Sequence, residues 1–350
     1  MLKSRTHIAT PPGATVREQI VDRGMTQKEF ALRMDLSEKH VSKLLNGDVQ
    51  LTPNMAVRLE MVLGIPAKFW NNLEAIYREK LTRVQEEQEM EADLALAKKF
   101  PYRALVQMQW VPDTAIPTAQ VFNLRKFFEV VRLTMVMDTR ITGMACRRLL
   151  VTERSNFALV AWVQKAKLAA RNRETQPIDL QGLQRDLADL RAMTTMSPDE
   201  FCQKLMNRLA ARGIVLVFLP HIPGSFLHGA TFHDGPKIVM GMTVRGRDAD
   251  KFWFSLFHEL GHVLLGHVGL AEGTSDKDEE EANAFARDTL IPIEMYQSFT
   301  RAGNFSKKAI VQFAESIGLA PGIVLGRLQK EGLLPYNRLN DLKIGYMLTA

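Results

Sequence analysis

Phe252-Trp253-Phe254-Ser255-Leu256-Phe257-His258-Glu259-Leu260-Gly261-His262-Val263-Leu264-Leu265 is apolar on nearly every side. A helix of that kind is buried. Two imidazoles and a carboxylate inside it are costly unless something compensates them. The spacing suggests the compensation. His258 and His262 stand four apart, one turn along a single helix face. Ring nitrogens so placed reach one zinc ion. Glu259, about 100° further round, is close enough to hold a water there without joining the ligand pair. His-Glu-x-x-His on a helix is the pattern expected of a metallopeptidase. The competing account is two histidines satisfied in a core, and the flanking Phe and Leu residues weaken it.

A catalytic zinc needs a third protein ligand and an open position. His267 is the nearest candidate but fits poorly. A third histidine in the extended pattern stands ten positions after the first with glycine at seven, where this chain has Val268 and Leu265. Further on, Asp278-Glu279-Glu280-Glu281 leads into Ala282-Asn283-Ala284-Phe285-Ala286. Acidic residues suit a helix's first turn, which accounts for Asp278, Glu279 and Glu280. Glu281 borders the face made by Ala282, Phe285, Ala286 and Leu290, and is the expected inward-pointing carboxylate.

This order of two histidines and one glutamate resembles the thermolysin-like (gluzincin) ligand set. More narrowly, Phe252 to His262 together with Glu280-Glu281-Ala282-Asn283-Ala284-Phe285-Ala286 and Leu290-Ile291-Pro292 resemble the ImmA/IrrE-type metallopeptidases, over roughly 205–297. The resemblance implies that His258, His262 and Glu281 are Zn2+ ligands and that Glu259 is the catalytic base. It also implies action on, or beside, helix-turn-helix repressors. Zinc lowers the pKa of a water it holds from about 16 to about 7. Glu259 would take the proton and pass it to the leaving amine. Tyr296, His221, His228 and His233 are all candidates to stabilise the oxyanion. Asp288, seven residues after Glu281, either orients a ligand imidazole or is simply solvated.

Residues 13–78 read as five short helices. Thr26 with Glu29 forms a capping box, Ser37 caps a third helix, Asn46-Gly47 ends it, and Thr52-Pro53 and Pro66 open two more. Two short helices, a tight turn and a polar helix start make a helix-turn-helix, whose second helix enters the major groove. The expected base-facing residues are Ser37, Glu38, Lys39, His40, Ser42 and Lys43, with Gln27 and Lys28 placed to reach phosphates. Thr26-Gln27-Lys28-Glu29-Phe30-Ala31, Val41-Ser42-Lys43-Leu44-Leu45-Asn46-Gly47 and Ile65-Pro66-Ala67-Lys68-Phe69-Trp70-Asn71-Asn72-Leu73 resemble the XRE helix-turn-helix family, in particular HigA-type antitoxins. That implies a homodimer on a palindromic operator of double-stranded DNA.

The remaining composition sets bounds. At 350 residues the chain has room for two or three domains. Its 46% hydrophobic and 24% charged residues exclude a disordered tail or a rod. Two cysteines exclude a disulfide scaffold or a cysteine-rich zinc module. The stretch Gly213 to His233, free of Lys, Arg, Asp and Glu, is broken by Pro220 and Pro223, so no membrane span is expected. The start lacks an apolar signal core, so the expected location is cytoplasmic. A net charge of +6 permits nucleic-acid binding without requiring it.

The expected fold is mostly α with a small α+β part. Strands are expected at Ile214–Leu219 and Lys237–Met240, with Gly229–Phe232 as the latter's hairpin partner. The expected parts are a helix-turn-helix domain at 1–80, a helical middle region at 81–204, a zinc peptidase core at 205–297 and a helical tail at 298–350. Trp110, Phe127, Phe128 and Trp162 in the middle region either line a pocket or form core. Arg147, Arg148 and Arg154 there either contact DNA or contact nothing. The function expected is a DNA-binding regulator whose zinc endopeptidase cuts a protein partner or the chain itself. The alternative is an antitoxin-like repressor, partnered by a toxin, whose zinc fold is a sensor or scaffold with little turnover. An intact Glu259 favours the first, since a structural site has no need of it.

Overall fold

The computed structural model describes residues 2–4, 8–137, 153–223, 228–243, 248–269 and 274–347. Cys146, Arg147 and Arg148 lie outside them. The chain divides into two compact units, Met1–Ala95 and Leu96–Ala350. It is mostly helical with a small mixed sheet, as the sequence predicts.

The first unit opens on a two-stranded ribbon, β1 (Leu2–Lys3) and β2 (Ile8–Ala9). Then come α1 (Pro12–Asp22), α2 (Gln27–Arg33), α3 (Glu38–Asn46), α4 (Pro53–Leu63) and α5 (Ala67–Ala97). The N-cap residues read from sequence are in place, but the capping box expected at Thr26 is only half made, because the Glu29 carboxylate pairs with Arg33 at 2.8 Å. Thr26, Ser37 and Thr52 accept from the backbone N–H of Glu29, His40 and Met55, and Gly47 and Gly64 close α3 and α4 in the left-handed conformation. Those caps fix helix length, and the inward residues Val16, Phe30, Val41, Leu44, Leu59 and Trp70 join in one core. The turn between α2 and α3 passes through Asp35 at φ 54°. Arg58 ties it down, donating to the carbonyls of Met34 (2.8 Å) and Asp35 (3.0 Å). At Gly13 an added Cβ would come within 2.3 Å of the Leu44 carbonyl, so only glycine lets α1 cross α3 there. The fifth helix is far longer than expected, at 31 residues. Between Pro66 and Pro101 there is neither Gly nor Pro to stop it.

The second unit contains α6 (Tyr102–Gln107), α7 (Pro117–Phe128), α8 (Glu153–Ala170), α9 (Leu180–Ala192) and α10 (Pro198–Ala210). They are followed by β3 (Ile214–Phe218), β4 (Gly229–Asp234) and β5 (Lys237–Met242). The last helices are α11 (Ala249–Leu264), α12 (Asp276–Leu290), α13 (Ile293–Arg301), α14 (Lys307–Ser316) and α15 (Pro321–Lys330). The strand order is β3-β5-β4, with β3 parallel and β4 antiparallel to β5. The β4–β5 hairpin expected from sequence is present, and among the described residues β4 lies at the edge of the sheet.

α11 is buried because its surface is apolar nearly all round, and it is covered on several sides. Phe201 of α10 packs on Trp253, Trp253 donates to the Tyr346 hydroxyl at 2.9 Å, and α12 and α15 flank the helix. One core therefore joins Leu183, Leu205, Met240, Leu256, Leu325 and Tyr346. The expected boundaries at 204/205 and 297/298 both run through it. A helix that is apolar around most of its circumference is not covered by residues 205–297 alone. The middle region also reaches the sheet. Trp162 of α8 lies where Gly241 lacks a side chain, and its indole N–H donates to the Pro220 carbonyl at 3.0 Å. Lys237 donates to carbonyls at the end of α8, Ala170 at 2.7 Å and Arg173 at 3.0 Å. Trp162, Phe127 and Phe128 are buried core. Among the described residues no single helix is long and apolar enough to cross a membrane.

Candidate metal centre

His258 and His262 project from one face of α11, as their spacing requires. Their Nε2 atoms stand 3.0 Å apart. The Nδ1 of His258 lies 3.0 Å from Asn283 Oδ1. An amide oxygen only accepts, so His258 carries its hydrogen on Nδ1 when neutral and leaves Nε2 bare. The carboxylate of Glu279, on α12, faces the pair: Oε2 is 3.5 Å from His258 Nε2 and Oε1 is 3.7 Å from His262 Nε2.

The donors are two imidazole nitrogens and one carboxylate, a set that suits zinc. Tetrahedral zinc with bonds of about 2.0–2.1 Å separates its ligand atoms by about 3.3 Å, and the edges found here run from 3.0 to 3.7 Å. The three residues therefore fit a single such ion.

The third ligand expected from the resemblance is Glu281. The structure puts Glu281 elsewhere, half-exposed, with Oε2 3.4 Å from His267 Nε2 and Oε1 3.5 Å from Lys277 Nζ. The reason is the register of α12. Ser275 caps the helix and Asp278 completes its capping box. The buried stripe is then Ala282, Ala286 and Leu290, and positions three and four before Ala282 and Asn283 fall on Glu279. The stripe 279-282-283-286-290 is in the sequence. First-turn charge accounts equally well for every acidic residue up to Glu280, so it does not mark Glu279 out.

Glu259 is 8% exposed. Thr231 of β4 donates to its Oε2 at 2.6 Å. Gly229 comes so close that an added Cβ would lie 2.8 Å from Oε1. Burial pushes the Glu259 carboxyl above the ordinary carboxylate range, against the pull of His258 and Thr231. The hydrogen bond with His258 holds Glu279 down at about 2. Burial, with His258 beside it, lowers His262 to about 4. Burial opposes charge on His258 as well, but Glu279 and Glu259 outweigh it and the net direction is upward.

These groups open on a cavity of about 930 Å³, whose wall includes Leu159 of α8 and Phe254. Of the oxyanion candidates, His228 lies on that wall. Tyr296 is occupied, donating to Glu331 Oε2 at 2.8 Å beneath the Arg327 guanidinium. His233 is exposed on β4 and does not line the cavity, nor does His221. Asp288 pairs with Arg287 at 2.7 Å rather than orienting an imidazole. Asn283, rather than Asp288, meets the Nδ1 of His258.

In the other unit, Gln27 and Lys28 are exposed at the start of α2, and Glu38, Lys39 and Lys43 are exposed on α3. Ser42 and His40 are half-buried. Ser37 is engaged locally, its hydroxyl accepting from the His40 N–H at 3.2 Å.

Residues 16–70 match a family model described as helix-turn-helix. Residues 232–328 match a peptidase-family model described as an IrrE N-terminal-like domain. That second match runs from β4 into α15 and takes in His258, Glu259, His262 and Glu279. A stretch of 63 residues is 35% identical to an uncharacterised HTH-type transcriptional regulator, YddM, of Escherichia coli (strain K12), covering 18% of this chain and 67% of that protein. The chain thus belongs to the XRE-type helix-turn-helix transcriptional regulators and carries, in its second unit, an ImmA/IrrE-like domain of the metallopeptidase family.

Proposed function

We propose that this chain is a transcriptional regulator with a zinc-dependent endopeptidase, which cuts a regulatory protein partner or the chain itself. The observation that carries the reading is the convergence of His258, His262 and Glu279 beside a buried Glu259 on one cavity. His258, His262 and Glu279 would hold the ion, which when bound supplies Lewis acidity and a more acidic water. Glu259 acts as the base. Thr231 occupies Oε2, so Oε1 is the atom left to take a proton from water and return it to the departing amine. An upward-shifted carboxyl suits that exchange, because a base works best near the operating pH. Among the described residues the outer edge of β4, beside Glu259, has no strand partner, and an extended peptide can add there as a further strand. His228, which precedes β4 and lines the cavity, is the candidate that supports the carbonyl oxygen in this reading.

On the DNA side, Lys39, Lys43, Glu38, Ser42 and the partly inward His40 form the reading surface of α3. Gln27 and Lys28 contribute at the phosphates, Ser37 caps the start of the reading helix, and two copies bind a palindromic operator. The test is Glu259→Gln in the full chain, co-expressed with the proteins encoded beside it. Retained zinc with lost cleavage supports the reading. A wild type that loads zinc and cuts nothing leaves the zinc domain a sensor or scaffold in an antitoxin-like repressor.

A further inference from the structure

We propose that His267 is a positioning residue that holds His262 in the tautomer a metal ligand needs, and that Glu281 and Asp278 behind it are its acceptors rather than ligands of a second ion. This rests on the metal reading above.

Gly266, at φ 76°, turns the chain sharply after α11, and the His267 N–H returns to the His262 carbonyl at 2.9 Å. The two imidazoles then meet through their Nδ1 atoms, 3.1 Å apart, with His267 only 8% exposed. On the far side, His267 Nε2 faces Glu281 Oε2 at 3.4 Å and Asp278 Oδ1 at 3.7 Å. His267, Asp278 and Glu281 by themselves resemble a second metal site, since their donor atoms all lie within 4.8 Å of one another.

Hydrogen bookkeeping separates the two roles. Two neutral rings meeting through Nδ1 share one hydrogen between those atoms. If His262 offers its Nε2 lone pair to an ion, its hydrogen sits on Nδ1 and points at His267. His267 Nδ1 is then the acceptor, so its own hydrogen sits on Nε2 and points at Glu281 and Asp278. An Nε2 that carries hydrogen has no lone pair for a second ion. Loading the first trio therefore closes the second. Asn283 does for His258 what His267 does for His262, and both ligands gain a fixed ring orientation.

The experiment is a zinc titration of the full chain against a competing chelator, with stoichiometry read at saturation. The expected results are one equivalent of zinc, and an affinity about 10–100-fold weaker in His267→Phe. His267→Gln, whose amide oxygen can accept from His262, should stay near the wild type. Glu281→Gln should weaken binding less than His267→Phe. Two equivalents bound, or a His267→Phe variant that titrates like the wild type, overturns the inference while leaving the first site standing. A wild type that binds no zinc overturns the metal reading as well. Should His267→Phe fail to fold, nitrogen-15 NMR of the zinc-loaded wild type reads the same point. Hydrogen on Nδ1 of His262 and Nε2 of His267 is expected, and hydrogen on Nδ1 of His267 overturns the proposal.

Discussion

Thr231 and Glu259 are joined across 2.6 Å, hydroxyl to carboxylate, and this bond ties the edge strand β4 to the buried helix α11. It holds a carboxylate whose burial disfavours its charge. The folded-state pKa is raised, so the group's favourable contribution is complete below its unfolded value of 4.5 and is lost as pH rises through the folded value. At neutral pH in the metal-free chain the carboxylate is therefore a cost. Glu259→Gln keeps an acceptor for Thr231 and removes that cost. Its thermal midpoint should exceed the wild type's at pH 7 and converge with it near pH 4. The same variant should keep its zinc and lose about 10²–10⁴-fold in cleavage rate, the usual worth of a positioned base. Equal midpoints at both pH values would refute the desolvation argument.

The choice between Glu279 and Glu281 is open to elemental analysis. Glu279→Ala should strip zinc from the purified chain, because it removes the carboxylate facing both Nε2 atoms. Glu281→Ala should keep about one equivalent, with somewhat weaker affinity. The opposite pattern would restore the ligand assignment read from sequence.

How far each part was legible follows from the distance over which its signal acts. His258, Glu259 and His262 lie within one turn and a half of a single helix, so the residue types and their spacing suffice. The caps at Thr26, Ser37 and Thr52 act over three residues and were equally plain. Glu279 was missed because its inward direction depends on where α12 starts, and the Ser275–Asp278 box sets that start. Four acidic residues in a row offer no local contrast by which to choose. The role of α8 was illegible for a different reason. Trp162 meets Gly241 across a long span of chain, and nothing in the apolar pattern of either segment names its partner.

That contact gives a stability prediction. The Trp162 ring lies 2.5 Å from where a Cβ on Gly241 would sit. Gly241→Ala should destabilise the second unit by about 1–3 kcal/mol, the range for an overpacked core. Trp162→Phe in the same chain withdraws the clashing ring edge. The double variant should lose less than the two single losses added together, since contacting sites couple. Additive losses in denaturant unfolding would show that the two residues do not press on each other.

On the helix-turn-helix, the structure separates side chains that build α3 from those free to read DNA. Ser37 accepts from the His40 N–H, so Ser37→Ala should cost about 1 kcal/mol of the first unit's stability through the lost cap. Lys39 and Lys43 are exposed on α3, and replacing either by alanine should leave the melting midpoint unchanged. If Lys43 meets a phosphate, Lys43→Ala weakens binding evenly across sequences and lowers the slope of log affinity against log salt by about 0.9. If it meets a base edge, the slope stays and discrimination at one operator position falls, by about 1–3 kcal/mol. Titrating operator and scrambled duplexes at several salt concentrations distinguishes the two. A variant that keeps full affinity for both duplexes at every salt concentration would remove Lys43 from the interface.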